Sequence, residues 1–94
     1  MNKLNQQNEK ELDLLIEEAN QHAYNGHFHW MGPEHNYIAW KTRAKALLGI
    51  ALPSDSPDLI RIKEHQKSGY IDLDFQEYAG MLLGVREYNS AHQN

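Results

Sequence analysis

Gly-His-Phe-His-Trp-Met-Gly-Pro-Glu-His-Asn-Tyr-Ile-Ala-Trp, residues 26–40, is the stretch on which the fold turns. It holds three of the six histidines, both tryptophans, a Phe, a Tyr and a Met. Gly26, Gly32 and Pro33 punctuate it, and a helix-like pattern lies on either side. Upstream, Leu12, Leu15, Ile16, Ala19 and Ala23 recur at i, i+3, i+4, i+7 and i+11, one stripe of a helix over 8–24. Asn25-Gly26 reads as its stop, because Gly tolerates the left-handed conformation that ends helices. Downstream, Pro33 takes the first position of a second helix, where a missing N–H costs nothing. Tyr37, Trp40, Ala44, Leu47, Leu48 and Ala51 form its apolar stripe over 33–50. Residues 26–32 are then a His- and aromatic-rich loop.

Farther along, Leu52-Pro53-Ser54-Asp55-Ser56-Pro57-Asp58 is a turn-rich connector. Ser56 as cap and Pro57 as first residue start a short third helix over 57–67, with Leu59, Ile60 and Ile62 on its apolar side and Ser68-Gly69 as its end. Asp74 reads as the cap of a fourth helix over 74–89, with Glu77 completing a capping box and Leu73 and Tyr78 as the hydrophobic staple. Phe75, Tyr78, Ala79, Leu82 and Val85 or Arg86 make its buried stripe. Tyr70, Ile71, Leu73 and Phe75 partly alternate, which leaves a short strand as the alternative there. Gly80 and Gly84 lie one turn apart inside this helix. Each costs roughly 1 kcal/mol relative to Ala, and close approach of another helix would offset that. The expectation is an all-α protein, a compact bundle of about four helices in a single domain spanning 1–94. Residues 1–7 and 90–94 are expected to fray.

Composition limits the function. A chain of 94 residues buries roughly 60–70% of the surface its unfolded form exposes, enough for one modest core. Charged residues make up 23% and the formal charge is −4, which argues against a generic phosphate-backbone binder. There is no cysteine, so disulfides, thiolate metal sites and a Cys nucleophile are excluded. No apolar run is long enough for a membrane span and the N-terminus has no signal-like apolar region. These features fit a cytoplasmic protein.

Three constellations remain. His27-x-His29, with His35 or Glu34 to complete it, is a weak metal candidate, since two loop imidazoles can share one ion. The same loop offers a ligand site: Phe28 and Trp30 present flat faces, and His27, His29 and His35 carry ring N–H groups. Lys41, Arg43 and the free N–H groups at the start of the second helix would favour a nucleotide-like anion. Against both stands the plainer reading of a loop whose rings pack while their nitrogens stay wet. For Tyr37 and Trp40 the core is the better reading. The third constellation is an interface on the last helix, comprising Gly80, Met81, Leu83, Gly84 and Tyr88, through which a symmetric dimer could form. Helix-turn-helix DNA binding through Arg61, Lys63, His65 and Lys67 is disfavoured by the long proline-containing connector and the negative net charge. The serines lack a nucleophile-elbow setting, no two carboxylates are singled out, and no Walker or dinucleotide loop occurs, so neither catalysis nor a cofactor is expected.

Tyr37 through Gly49, followed by Ser54-Asp55-Ser56-Pro57-Asp58, and later Phe75 through Val85, resemble the small helical regions of bacterial abortive-infection-type defence proteins. Such regions show an aromatic-rich helix ending near Leu-Gly, a polar turn and a final helix with a Leu-x-Gly-like step. The resemblance covers about half of the chain and rests on common residue types. It implies an adaptor or regulatory bundle in bacterial or phage conflict, without catalysis of its own, and it carries no catalytic residues across. The His-rich loop and the lack of a following effector domain depart from the pattern. Taken together, the expected function is non-enzymatic binding of a protein partner, with homo-oligomer formation. A nucleotide-like small molecule is the alternative ligand, metal binding a further one, and nucleic acid and membrane are not expected partners.

Overall fold

A computed structural model describes residues 2–64 and 71–92. Its elements are α1 (Gln6–Asn20), β1 (Ala23–Tyr24), β2 (His27–Phe28), α2 (Glu34–Ala51), α3 (Pro57–Glu64) and α4 (Ile71–Ala91). Four helices pack as an all-α bundle, with a two-stranded hairpin inserted between the first two. The apolar stripes face inward as their periodicity requires. Leu12, Leu15, Ile16 and Ala19 of α1 meet Tyr37, Trp40, Ala44, Leu47, Leu48 and Ala51 of α2 and Phe75, Tyr78, Ala79, Leu82 and Val85 of α4 in one core. Leu59 and Ile62 of α3 join it, while Ile60 is exposed. Arg86, the alternative to Val85, is exposed too.

Several boundaries differ from the sequence reading, each for a local reason. α1 stops at Asn20 rather than 24, and Ala23 lies exposed in β1. The chain then pairs antiparallel, Ala23 with Phe28 and Tyr24 with His27. Asn25 (φ 50°) and Gly26 (φ 79°) form the two-residue turn between the strands. An Asn-Gly pair supplies the two positive φ angles that such a tight hairpin needs. The segment expected as a plain loop is thus partly a hairpin. Pro33 is the N-cap of α2, in an extended conformation, rather than its first helical residue.

Residues 2–5 are packed, not frayed. The Asn2 N–H donates to the Ala51 carbonyl, Leu4 is buried, and Asn5 caps α1 by accepting the Asn8 N–H at 2.8 Å. α4 continues through Ala91, past the expected end at 89. Asp74 sits inside α4 rather than at its cap, and the proposed staple residue Leu73 is 62% exposed. Ile71 to Phe75 are helical, not a strand; Tyr70 lies outside the described residues, as do the expected end of the third helix at 65–67, His65, Lys67 and Ser68-Gly69. No helix among the described residues is long and apolar enough to cross a membrane.

Candidate functional site

Phe75, wholly buried near the start of the described part of α4, organises the hairpin end of the bundle. Five aromatic rings meet it at steep angles: Trp40 at 5.0 Å, Trp30 at 5.2 Å, Phe28 at 5.4 Å, Tyr37 at 5.8 Å and His22 at 6.3 Å between centroids. Edge-to-face packing suits the ring quadrupoles, so the cluster is more than an apolar fill. Trp40 also donates its indole N–H to the Leu15 carbonyl at 3.0 Å, which fixes α2 on α1.

The hairpin is clipped to α4 by polar groups. His29 Nδ1 lies 2.5 Å from one oxygen of Asp72, and the other oxygen accepts the Trp30 backbone N–H at 3.1 Å. Gln76 donates to the Phe28 carbonyl at 3.3 Å. Both Asp72 oxygens are therefore engaged in holding the hairpin. On the α1 side, the strand register carried one residue further sets His22 opposite His29, and the His29 N–H donates to the His22 carbonyl at 2.8 Å. The His22 ring stacks on Trp30, centroids 3.8 Å apart and planes 13° off parallel. Its Nδ1 accepts the Met31 N–H at 2.9 Å. Burial against these rings holds the His22 pKa below its ordinary value, with Glu18 pulling the other way.

Beneath the cluster, Tyr37 donates its hydroxyl to the buried Asp74 carboxylate at 2.6 Å, and Lys41 Nζ meets the same oxygen at 2.7 Å. Lys41 also stands 5.3 Å from the centre of the Tyr78 ring, within cation–π range. Burial pushes the Tyr37 phenol well above the usual tyrosine value, and its hydrogen bond to Asp74 adds to this. Tyr78 is pushed up to about 12, by burial first and then by the Asp74 charge. Arg43 bridges two carboxylates of α1, Glu11 at 2.6 Å and Glu18 at 2.9 Å. Burial works against its charge, but the bonds to Glu18 and Glu11 prevail and leave its pKa above the ordinary value.

The sequence candidates thus divide. Phe28, His29 and Trp30 come together against α4. His27 and His35 are exposed and take no part in this assembly. Among the described residues no three His, Asp or Glu side chains converge as metal donors. Lys41 and Arg43 each face carboxylates. A cleft of about 330 Å³ does open beside Trp30, walled by Glu18, Gln21, His22, Asn36 and Arg43. His22 and Asp72, which join this end of the bundle, were not among the sequence candidates. The Asn25-Gly26 turn signal would have found His22, since the register it sets brings His22 to His29; nothing local points to Asp72.

On α4, Gly80 and Gly84 are exposed, and apart from their chain neighbours and the adjoining backbone of α4 no described atom comes within 4 Å of a Cβ built on either. The close helix approach expected there does not occur within the described residues. Instead the two glycines line an open groove of about 350 Å³ with Met81, Leu52, Arg61 and Glu77. Leu83 and Met81 pack partly against the core, and Tyr88 stacks on His92 at 4.0 Å. No family model matches this chain, and no curated protein or solved structure matches it.

Proposed function

We propose that the chain is a non-enzymatic binding protein that acts through a protein partner, and that a second copy docked on α4 is the first such partner. The groove over Gly80 and Gly84 carries this reading. Two interior glycines cost ~1 kcal/mol each relative to Ala, and no described side chain uses the space they leave. The groove has apolar walls in Leu52 and Met81 and a rim of both signs, with Arg61 held 2.9 Å from Glu77 and 3.3 Å from Asp58. A rim of mixed sign suits a two-fold contact, in which an acid of one copy can meet a base of the other. At the hairpin end Asp72, Asp74, Lys41 and Arg43 are engaged in internal pairs, which favours a structural role for them. The resemblance to abortive-infection-type helical regions points to the same class, an adaptor in bacterial or phage conflict. Light scattering after size exclusion tests the reading. A dimer at high micromolar concentration that gives way to monomer in Gly80→Ala/Gly84→Ala supports it; a strict monomer in the unaltered chain refutes it.

The cleft beside Trp30 favours a second reading, a small planar ligand, because its volume falls at the lower end of the roughly 300–1,000 Å³ usual for ligand pockets. A nucleotide-like anion would have to compete with Glu11 and Glu18 for Arg43 and with Asp74 for Lys41. A thermal-shift screen against nucleotides decides: a rise in Tm that Trp30→Ala abolishes supports this reading, and no shift removes it.

A further inference from the structure

His22 closes one wall of the Trp30 cleft in a way that depends on its protonation. Its Nδ1 accepts the Met31 N–H, so that nitrogen carries no proton and the ring is neutral with its proton on Nε2. A second proton can go only to Nδ1. Two N–H groups would then face each other across 2.9 Å, and this conflict drives the ring off the Met31 amide against the pull of the Trp30 face, which by itself attracts a cation. The charged groups around the ring come from every side. Glu18, one turn earlier on α1, attracts a proton; Arg43 of α2 lines the same cleft and repels one. Across the hairpin, His29 is paired with Asp72 of α4. Burial outweighs Glu18, so the native ring resists protonation.

We propose that His22 is a proton-operated latch: neutral, it closes on Trp30 and the Met31 amide, and protonated at Nδ1 it swings away and bares one face of the Trp30 indole to the cleft. On the other side Asp72 accepts the Trp30 N–H and Gln76 donates to the Phe28 carbonyl, so β2 stays on α4 and the movement is confined to the His22 side. The latch stands independently of what enters the cleft and of any dimer through α4.

Nitrogen-15 correlation spectra of the full chain between pH 8 and pH 5 test this. The Met31 amide and Trp30 indole signals should move together with the His22 ring, at one midpoint below the ordinary histidine value of 6.5, while the Trp40 indole and the core amides stay in place. Exchange protection of the Met31 amide should fall roughly 5-fold across the transition, the worth of one hydrogen bond. His22→Asn sets an amide oxygen near the Nδ1 position and cannot take the proton, so its Met31 signal should be flat over this range. His29→Gln should keep the transition. The latch is overturned if the Met31 and Trp30 signals follow His29, if His22→Asn titrates like the unaltered chain, or if the core amides collapse at the same midpoint.

Discussion

The Tyr37 hydroxyl donates to Asp74 across 2.6 Å and thereby joins α2 to α4 inside the core. Lys41, one turn along α2 from Tyr37, supplies the positive charge that lets a carboxylate lie 5% exposed. A buried carboxylate needs such partners, because removing one of them leaves a charge in a poorly solvated place.

Tyr37→Phe removes a hydrogen bond to a charged group and should cost about 2 kcal/mol. Asp74→Ala strands Lys41 and the Tyr37 hydroxyl together. Its cost should lie at the low end of the roughly 3–5 kcal/mol seen when buried pairs are broken, because Lys41 keeps a fifth of its side chain in water. Urea unfolding of both variants checks the order; equal costs would remove the ion pair from the account.

Tyr37 and Tyr78 both have raised pKa values, Tyr78 to about 12 and Tyr37 beyond it. A raised value in the folded state means that the native protein keeps protons the unfolded chain has lost. The stability drawn from these two groups is therefore whole below the ordinary tyrosine value of 10.0 and is lost as pH rises above it. Ultraviolet titration should show both phenols still protonated at pH 11 while the helical circular dichroism persists.

Gly26 has φ 79°, and apart from its chain neighbours no described atom lies within 4 Å of an added Cβ. The penalty of Gly26→Ala is therefore conformational rather than steric crowding. It should be roughly 1–2 kcal/mol, the cost of left-handed backbone for an L-residue. The loss should appear as faster amide exchange at His29 and Met31, which lean on the hairpin, with the core amides little changed.

Gly80→Ala and Gly84→Ala should act in the opposite direction. Both glycines are helical and have open space where the methyl would go, so each change should stabilise the isolated chain by about 1 kcal/mol. A higher Tm at low micromolar concentration is the expected result. A loss of stability there would mean that the groove is filled within a single chain.

The helices and their buried faces were readable because an apolar stripe at 3.6-residue spacing has one way to be buried. Every stripe residue named from 12 to 19, from 37 to 51 and from 75 to 82 is in the core. The hairpin was misread because Asn25-Gly26 serves two purposes in sequence, ending a helix or turning a strand, and the choice depends on what the next residues pack against. Here β2 rests on Phe75 and Gln76, nearly fifty residues downstream. Asp74 was misread for the same kind of reason. Its spacing to Glu77 fits a cap, whereas its actual partners Tyr37 and Lys41 lie on another helix. Phe28, His29 and Trp30 stood among the loop candidates together with His27 and His35; what the first three meet on α4 could not be read from their own segment.

Asn89 is the other buried polar residue of α4, accepting the Leu4 N–H at 3.2 Å and donating to Glu9 at 2.7 Å. It stands about 22 Å along the helix from Asp74, at 1.5 Å per residue. Leu82 and Val85 between them would tolerate a slide of α4 by one turn, since apolar contacts have no fixed address. The two pins would not, because such a slide takes each from its partners at opposite ends of the bundle. Asp74 and Asn89 thus set the register of α4, and removing both should leave a helix that is still buried but no longer confined to one axial position.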